Sequence, residues 1–223
     1  MCRSIYLRGQ YECRGLVPHR IDVIATSEHH WEVFSMLRDL VLANRSYRRF
    51  EQQIPVEEST LRDLVDLARL TPSASNLQPL RYVLANDPER NAEVFETLAW
   101  AGYLTDWPGP AEGERPSAYI VILSDKEVNR NAAMDCGIAA QTILLGAAQS
   151  GLGGCMIGSV DRDKLREILG IAEKHDIVLV IALGVPAEKV VLEDVGADGS
   201  TKYYRDAEDV HHVPKRKLED VLV

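Results

Sequence analysis

Two short runs of unbroken apolar residues, Ala118–Leu123 (AYIVIL) and Ile177–Leu183 (IVLVIAL), constrain this chain more than any other feature. Neither alternates with polar residues, so each predicts a buried strand. Between them, from Asn131 to Ser150, the residues are apolar or small almost all round, including Ile138, Ala139, Ile143, Leu144, Leu145 and Ala148. That pattern predicts a helix buried on most sides, with Gly151 placed to end it. Such segments need one shared core, and a chain of 223 residues, 46% of them apolar, has the material for a single large domain.

The other elements fall around this centre. Val33, Phe34, Leu37, Leu40 and Val41 recur at helical spacing and predict a first helix starting near Trp31. A second is predicted from Val56 to Leu70, with Leu61, Leu64, Val65 and Ala68 on one face. A third has Asp87 as N-cap and Pro88 in its first turn, and runs into Trp100. A short helix follows from Asp161, its N-cap, to Gly170, its terminator. Further strands are predicted near Arg81–Ala85 and Cys155–Gly158, and a long loop from Gly102 to Pro116. The tail from Val185 onward reads as mixed and turn-rich. This irregular alternation predicts an α+β domain, a sheet with helices packed on it. The domain is expected over residues 31–223, preceded by an extension of residues 1–30 that lacks a sustained period.

A net charge of −9 argues against wrapping nucleic acid, which needs a basic face. Cys2, Cys13, Cys136 and Cys155 are too scattered for zinc and read as reduced thiols. With no membrane span or signal peptide in view, the expected setting is the cytoplasm.

Four segments can carry chemistry. Asn44-Arg45-Ser46-Tyr47-Arg48-Arg49-Phe50 sets two guanidinium groups around a hydroxyl, a donor set matched to a phosphate monoester, although a solvated basic helix terminus has the same composition. Thr71-Pro72-Ser73-Ala74-Ser75-Asn76-Leu77-Gln78-Pro79 offers exposed backbone and two amides suited to the edge of a planar heterocycle, or else an ordinary turn. Gly151-Leu152-Gly153-Gly154-Cys155-Met156-Ile157-Gly158 closes a helix instead of opening one, so it is no Rossmann loop. It is either a backbone that a flat ligand approaches closely or a crowded strand. Val213-Pro214-Lys215-Arg216-Lys217 is a solvated basic tail, or the completion of the phosphate site begun by Arg45 and Arg48.

In their order and spacing these segments resemble the nitroreductase family. The resemblance covers roughly Leu37 to Val223 and rests on R-S-x-R-x-F at Arg45–Phe50, P-S-A-S-N-L-Q-P at Pro72–Pro79, G-L-G-G-C-M-I-G at Gly151–Gly158 and L-G-x-P at Leu183–Pro186. It implies a central mixed or antiparallel sheet flanked by helices, in an intertwined homodimer with FMN at the interface. By position, Arg45, Ser46 and Arg48 would hold the phosphate and ribityl groups with Lys215 and Arg216. Pro72, Ser73, Ala74, Ser75 and Asn76 would reach the flavin from the partner subunit, with Gln78 close by, and Ile157 and Gly158 would lie along the ring. Two positions depart from the family pattern: Asn44 stands where many members have Arg, and Leu80 where Trp is frequent.

The implied activity is transfer of hydride from NADH or NADPH through FMN to a small acceptor such as a nitroaromatic or quinone. The flavin supplies the chemistry, so no side chain is expected to be catalytic and no metal is expected. Trp100, Tyr103 and Trp107 are the candidate wall of a substrate channel. His175, His211 and His212 are read as surface or structural residues, and Cys155 as a small buried one. Relatives on this fold that cleave flavin or remove halogen, and a protein that only binds or senses FMN, are the alternatives.

Overall fold

The structure, a computed structural model, describes residues 36–129 and 131–223. Its main sheet contains β1 (Leu80–Ala85), β2 (Ala118–Asp125), β3 (Gly153–Ile157) and β4 (His175–Gly184), ordered β1-β2-β4-β3 with every pairing antiparallel. The two apolar runs are therefore its inner strands, paired from Ala118 with Leu183 to Asp125 with His175. Successive side chains of a strand point to opposite faces. Ala118, Ile120 and Ile122 join Ile181 and Leu183 in one core, while Tyr119, Val121 and Leu123 join Val180 and Ala182 in a second.

Helices close both cores. The first is covered by α2 (Glu58–Arg69) and α4 (Ala133–Gln149), through Leu61, Leu64 and Ala68 on α2 and Ala139, Ile143 and Ala147 on α4. The second is covered by Val94 of α3 (Pro88–Phe95) and Leu165 of α5 (Arg162–Leu169). The predicted caps form: Asp87 accepts from the amides of Glu89 and Arg90, and Asp161 from that of Lys164. Each is worth about 1 kcal/mol. Gly170 ends α5 at φ 62°, a left-handed conformation that glycine adopts without steric cost.

Three expectations change, and a fourth falls partly outside the described residues. α3 stops at Phe95 instead of running to Trp100, because the next residues pair elsewhere: Leu98 bridges Val160, and the Asp161 amide donates to the Thr97 carbonyl. The chain is helical over residues 36–43 (α1), and the predicted start near Trp31, with Val33, Phe34 and the extension 1–30, lies outside the described residues. The turn-rich tail forms a second sheet of β5 (Val190–Asp194), β6 (Tyr204–Arg205) and β7 (His211–Lys215), ordered β5-β7-β6 with β5 and β7 parallel. Finally, α4 is covered on only part of its surface. Met134 is 74% exposed and Ile138 36%, and Gly137 and Gln141 share that open side. No described helix is long and apolar enough to cross a membrane.

Candidate functional site

Two of the four segments meet at the free edge of β3. Ser46 forms a parallel bridge with Gly154, the Tyr47 amide donates to the Gly154 carbonyl at 3.0 Å, and Phe50 bridges Pro186. Phe50, fully buried, anchors this run beneath the chain. The close approach explains two glycines. A Cβ on Gly153 would lie 2.5 Å from the Tyr47 ring and 2.6 Å from Pro186, and one on Gly154 would lie 2.7 Å from the Ala182 carbonyl oxygen. At those positions the crowded-strand alternative holds. Gly158 is different: it is exposed, and a Cβ there would meet nothing within 4 Å. Ile157 turns its side chain into the second core, leaving its backbone to border the site.

A carboxylate absent from the sequence reading holds this edge together. Glu188, its side chain 2% exposed, accepts from the backbone amides of Arg48 and Arg49 and pairs with Arg205 at 2.8 Å. Arg48 is buried, with its guanidinium donating to the Ser46 carbonyl at 3.2 Å and to Nε2 of His211 at 3.2 Å, and lying 4.8 Å from the Tyr203 ring centre. Arg45 and Ser46 are disposed differently. Ser46 is exposed, and half-buried Arg45 reaches back to the Val41 carbonyl while its Nε, itself buried, has no partner among the described residues. Burial lowers the Arg45 pKa, yet a guanidinium remains cationic. Arg45 and Ser46 thus leave donor capacity for an anion that Arg48 has committed inward.

The tail meets Arg48 through His211 rather than through its cations. Lys215 and Arg216 are exposed, and Lys215 lies four residues beyond His211 on β7, ~13 Å along the strand. Because an arginine cannot accept, His211 Nε2 must, so the ring is neutral with its proton on Nδ1. Burial first, then Arg48, Arg205 and His212, push its pKa down to about 4 from 6.5. A histidine held neutral in this way contributes stability that is complete above the unfolded value and is lost as pH falls toward the folded one. Denaturation midpoints should therefore decline between pH 6.5 and about 4. His211→Gln should flatten that decline, and a wild-type profile flat over the window would refute the assignment. His212, hydrogen-bonded to Asp206 and Glu193, is shifted the opposite way, and its contribution fades instead as pH rises.

The fourth segment lies elsewhere. Pro72–Gln78 is exposed apart from half-buried Ser73, and Ser75, Asn76 and Gln78 take φ of 51°, 56° and 51°. Left-handed backbone costs a non-glycine residue roughly 1–2 kcal/mol. The loop is held by Asp135 in the first turn of α4, which accepts from the Ser73 hydroxyl at 2.5 Å and the Ala74 amide at 3.2 Å. Hydrogen bonds to a charged group contribute about 1.5–3 kcal/mol each, enough to offset much of that strain. Asp135 opens α4 and Gly151 follows its end, so the loop stands ~20 Å along the helix from the start of the glycine segment.

The predicted channel aromatics divide. Trp107 lies 4.4 Å from the Arg205 guanidinium and 5.8 Å from that of Arg49, and Tyr103 packs on Tyr203 at 5.0 Å, so both belong to the Arg48–His211 cluster. Trp100 packs on Phe95 at 5.7 Å, beneath Gly109. Asn44 closes α1 through its amide to Leu40, and Leu80 packs against the first core. Burial holds the Cys136 thiol up at about 11 and raises that of Cys155. Among the described residues no group of three or more His, Cys, Asp or Glu is arranged to hold a metal ion.

Residues 41–185 match the sequence model described as the nitroreductase family. An NADH dehydrogenase of Thermus thermophilus is 27% identical over 176 residues, covering 66% of this chain and 85% of the relative. An NADPH-flavin oxidoreductase of Vibrio harveyi is 26% identical over 165 residues, covering 66% and 65%. An FMN-dependent nitroreductase of Clostridium difficile superposes with a TM-score of 0.55 at 26% identity, covering 66% of this chain and 87% of that one.

Proposed function

The chain belongs to the nitroreductase family, and on that premise we propose that it is a homodimeric FMN-dependent oxidoreductase. In this reading it takes hydride from NADH or NADPH and passes electrons to a small acceptor such as a nitroaromatic or quinone. One observation carries the proposal: the loop at Pro72–Gln78 and the start of the glycine segment lie at opposite ends of α4, a helix that leaves Met134 and Ile138 uncovered. Two copies packed on that side about a two-fold axis, their α4 helices antiparallel, set the loop of one against the strand of the other. Each site then draws its parts from both chains.

The residues present fit FMN. Arg45, with a buried nitrogen lacking a partner among the described residues, and exposed Ser46 would hold the phosphate and ribityl groups, with Lys215 and Arg216 adding charge from the exposed end of β7. Pro72, Ser73, Ala74, Ser75, Asn76 and Gln78 would offer backbone and amide groups to the ring from the partner subunit. The Ile157 backbone and Gly158, where no Cβ intervenes, would border it. Bound there, FMN supplies the hydride and electron chemistry. Arg48 carries a fixed positive charge behind this edge, immobilised by Ser46, His211 and Tyr203, and such a charge stabilises negative charge developing nearby without reorganisation. Trp107 and Tyr103, packed on the same cluster, would shape the approach of the acceptor.

The protein should purify yellow, or become so with added FMN, and anaerobic NADH or NADPH should bleach the flavin absorbance. A colourless protein that takes up no FMN would defeat the proposal, and flavin that binds but resists both nicotinamides would reduce it to a binding protein.

A further inference from the structure

Resting on that reading, we propose that Asp135 is a positioning residue, which fixes the Pro72–Gln78 loop in the one conformation that meets the flavin of the partner subunit. The residue is 4% exposed, and both carboxylate oxygens are directed to the loop, Oδ2 accepting from the Ser73 hydroxyl and Oδ1 from the Ala74 amide. The Ser73 oxygen in turn accepts from the Gln78 amide at 2.9 Å, so a relay from carboxylate to hydroxyl to amide ties the two ends of the loop together. Within that closed ring lie Ser75 and Asn76 with left-handed backbone, and Gln78 at its end is left-handed too. The shape is held by local hydrogen bonds, with Gln78 Nε2 donating to the Asn76 side-chain oxygen at 3.1 Å, and not by packing: all three side chains are exposed, and none enters either core. Strain held where packing does not demand it points to a surface prepared for a ligand.

The anchor also sits where subunit contact and ligand contact converge. Met134 and Ile138, one residue before and three after Asp135, face outward from the same turns of α4. A helix seated against a partner by those residues holds its Asp135, and hence the loop, at a fixed height along the interface. Asp135 touches no cofactor in this scheme. It acts through Ser73 and Ala74.

Asp135→Asn is the decisive variant, since it keeps the side-chain volume while its amide can accept from only one of the two donors. Two measurements on the full-length protein test it. Without added flavin, amide hydrogen exchange across residues 74–78 should speed up at least tenfold, with protection elsewhere, dimer mass and unfolding temperature unchanged. FMN affinity should fall roughly tenfold or more, the loss expected for one charge-assisted hydrogen bond. Ser73→Ala should do the same, and combining the two should add little, because both cut one relay. A general loss of protection would show Asp135 to be merely structural and overturn the proposal. With a yellow wild-type protein, unchanged exchange and affinity in Asp135→Asn overturn it while leaving the function standing. A wild-type protein that takes up no FMN removes the function and the positioning role together.

Discussion

Glu188→Ala should lower the unfolding free energy by about 3–5 kcal/mol, the range expected when one member of a buried ion pair is removed. Three donors converge on this one carboxylate: the amides of Arg48 and Arg49 and the Arg205 guanidinium. With the side chains of Glu188 and Arg205 only 2% and 10% exposed, water cannot readily replace the lost acceptor. Domains have only some 5–15 kcal/mol to lose, so the variant should stand near the threshold of folding. Glu188→Gln keeps one acceptor oxygen but turns an amide donor toward the others, so it should fall between. Equilibrium denaturation by urea gives the answer. A loss below about 1 kcal/mol would mean the carboxylate is solvated in solution and the clamp is not there.

Glu188 also shows where reading the sequence stops. A solitary glutamate two residues after Pro186 has no motif, and its partners Arg48, Arg49 and Arg205 are distant in sequence; only the fold makes them neighbours. His211 is a similar case. It was legible as structural, but not as the acceptor that orients Arg48. What the chain does reveal is local: the inner strands from their unbroken apolar runs, and the helix ends at Asp87, Asp161 and Gly170 from their capping chemistry. The second sheet escapes because β5 and β7 are short, mixed in polarity and parallel, so they pair only after the chain has travelled from Asp194 to His211. Pro214 inside β7 disguises it further. Proline is tolerated there because β6 reaches only His211 and His212, leaving that stretch of β7 unpaired on one side.

For α4 the sequence was informative in a different way. An all-round apolar helix predicts burial on most sides, and a single chain leaves Met134 and Ile138 uncovered. In the proposed dimer that mismatch is accounted for, because the uncovered side of α4 would be covered by the partner chain. Two of the four candidate segments meet within the chain, and in the proposed dimer the Pro72–Gln78 loop, held at the start of α4, would be completed by the partner chain.

Ile138→Glu should therefore give a folded monomer that has lost its flavin. In one chain the position is 36% exposed, so a carboxylate there is solvated and the fold should keep its circular dichroism spectrum. In a two-fold dimer every substitution appears twice, and each unpaired carboxylate taken into the interface costs several kcal/mol. Dimer affinity should fall at least a hundredfold, seen as a halved mass by light scattering at micromolar protein. FMN retention should fall with it, because separated subunits leave the Pro72–Gln78 loop ~20 Å along α4 from the start of the glycine segment, without a partner chain to complete the site. The paired readout separates this variant from Glu188→Ala, in which flavin is lost along with the fold. A monomer that stays yellow would show that one chain builds the whole site, and a dimer that persists would show that this side of α4 faces solvent. Either result removes the two-ended arrangement on which the proposed function rests.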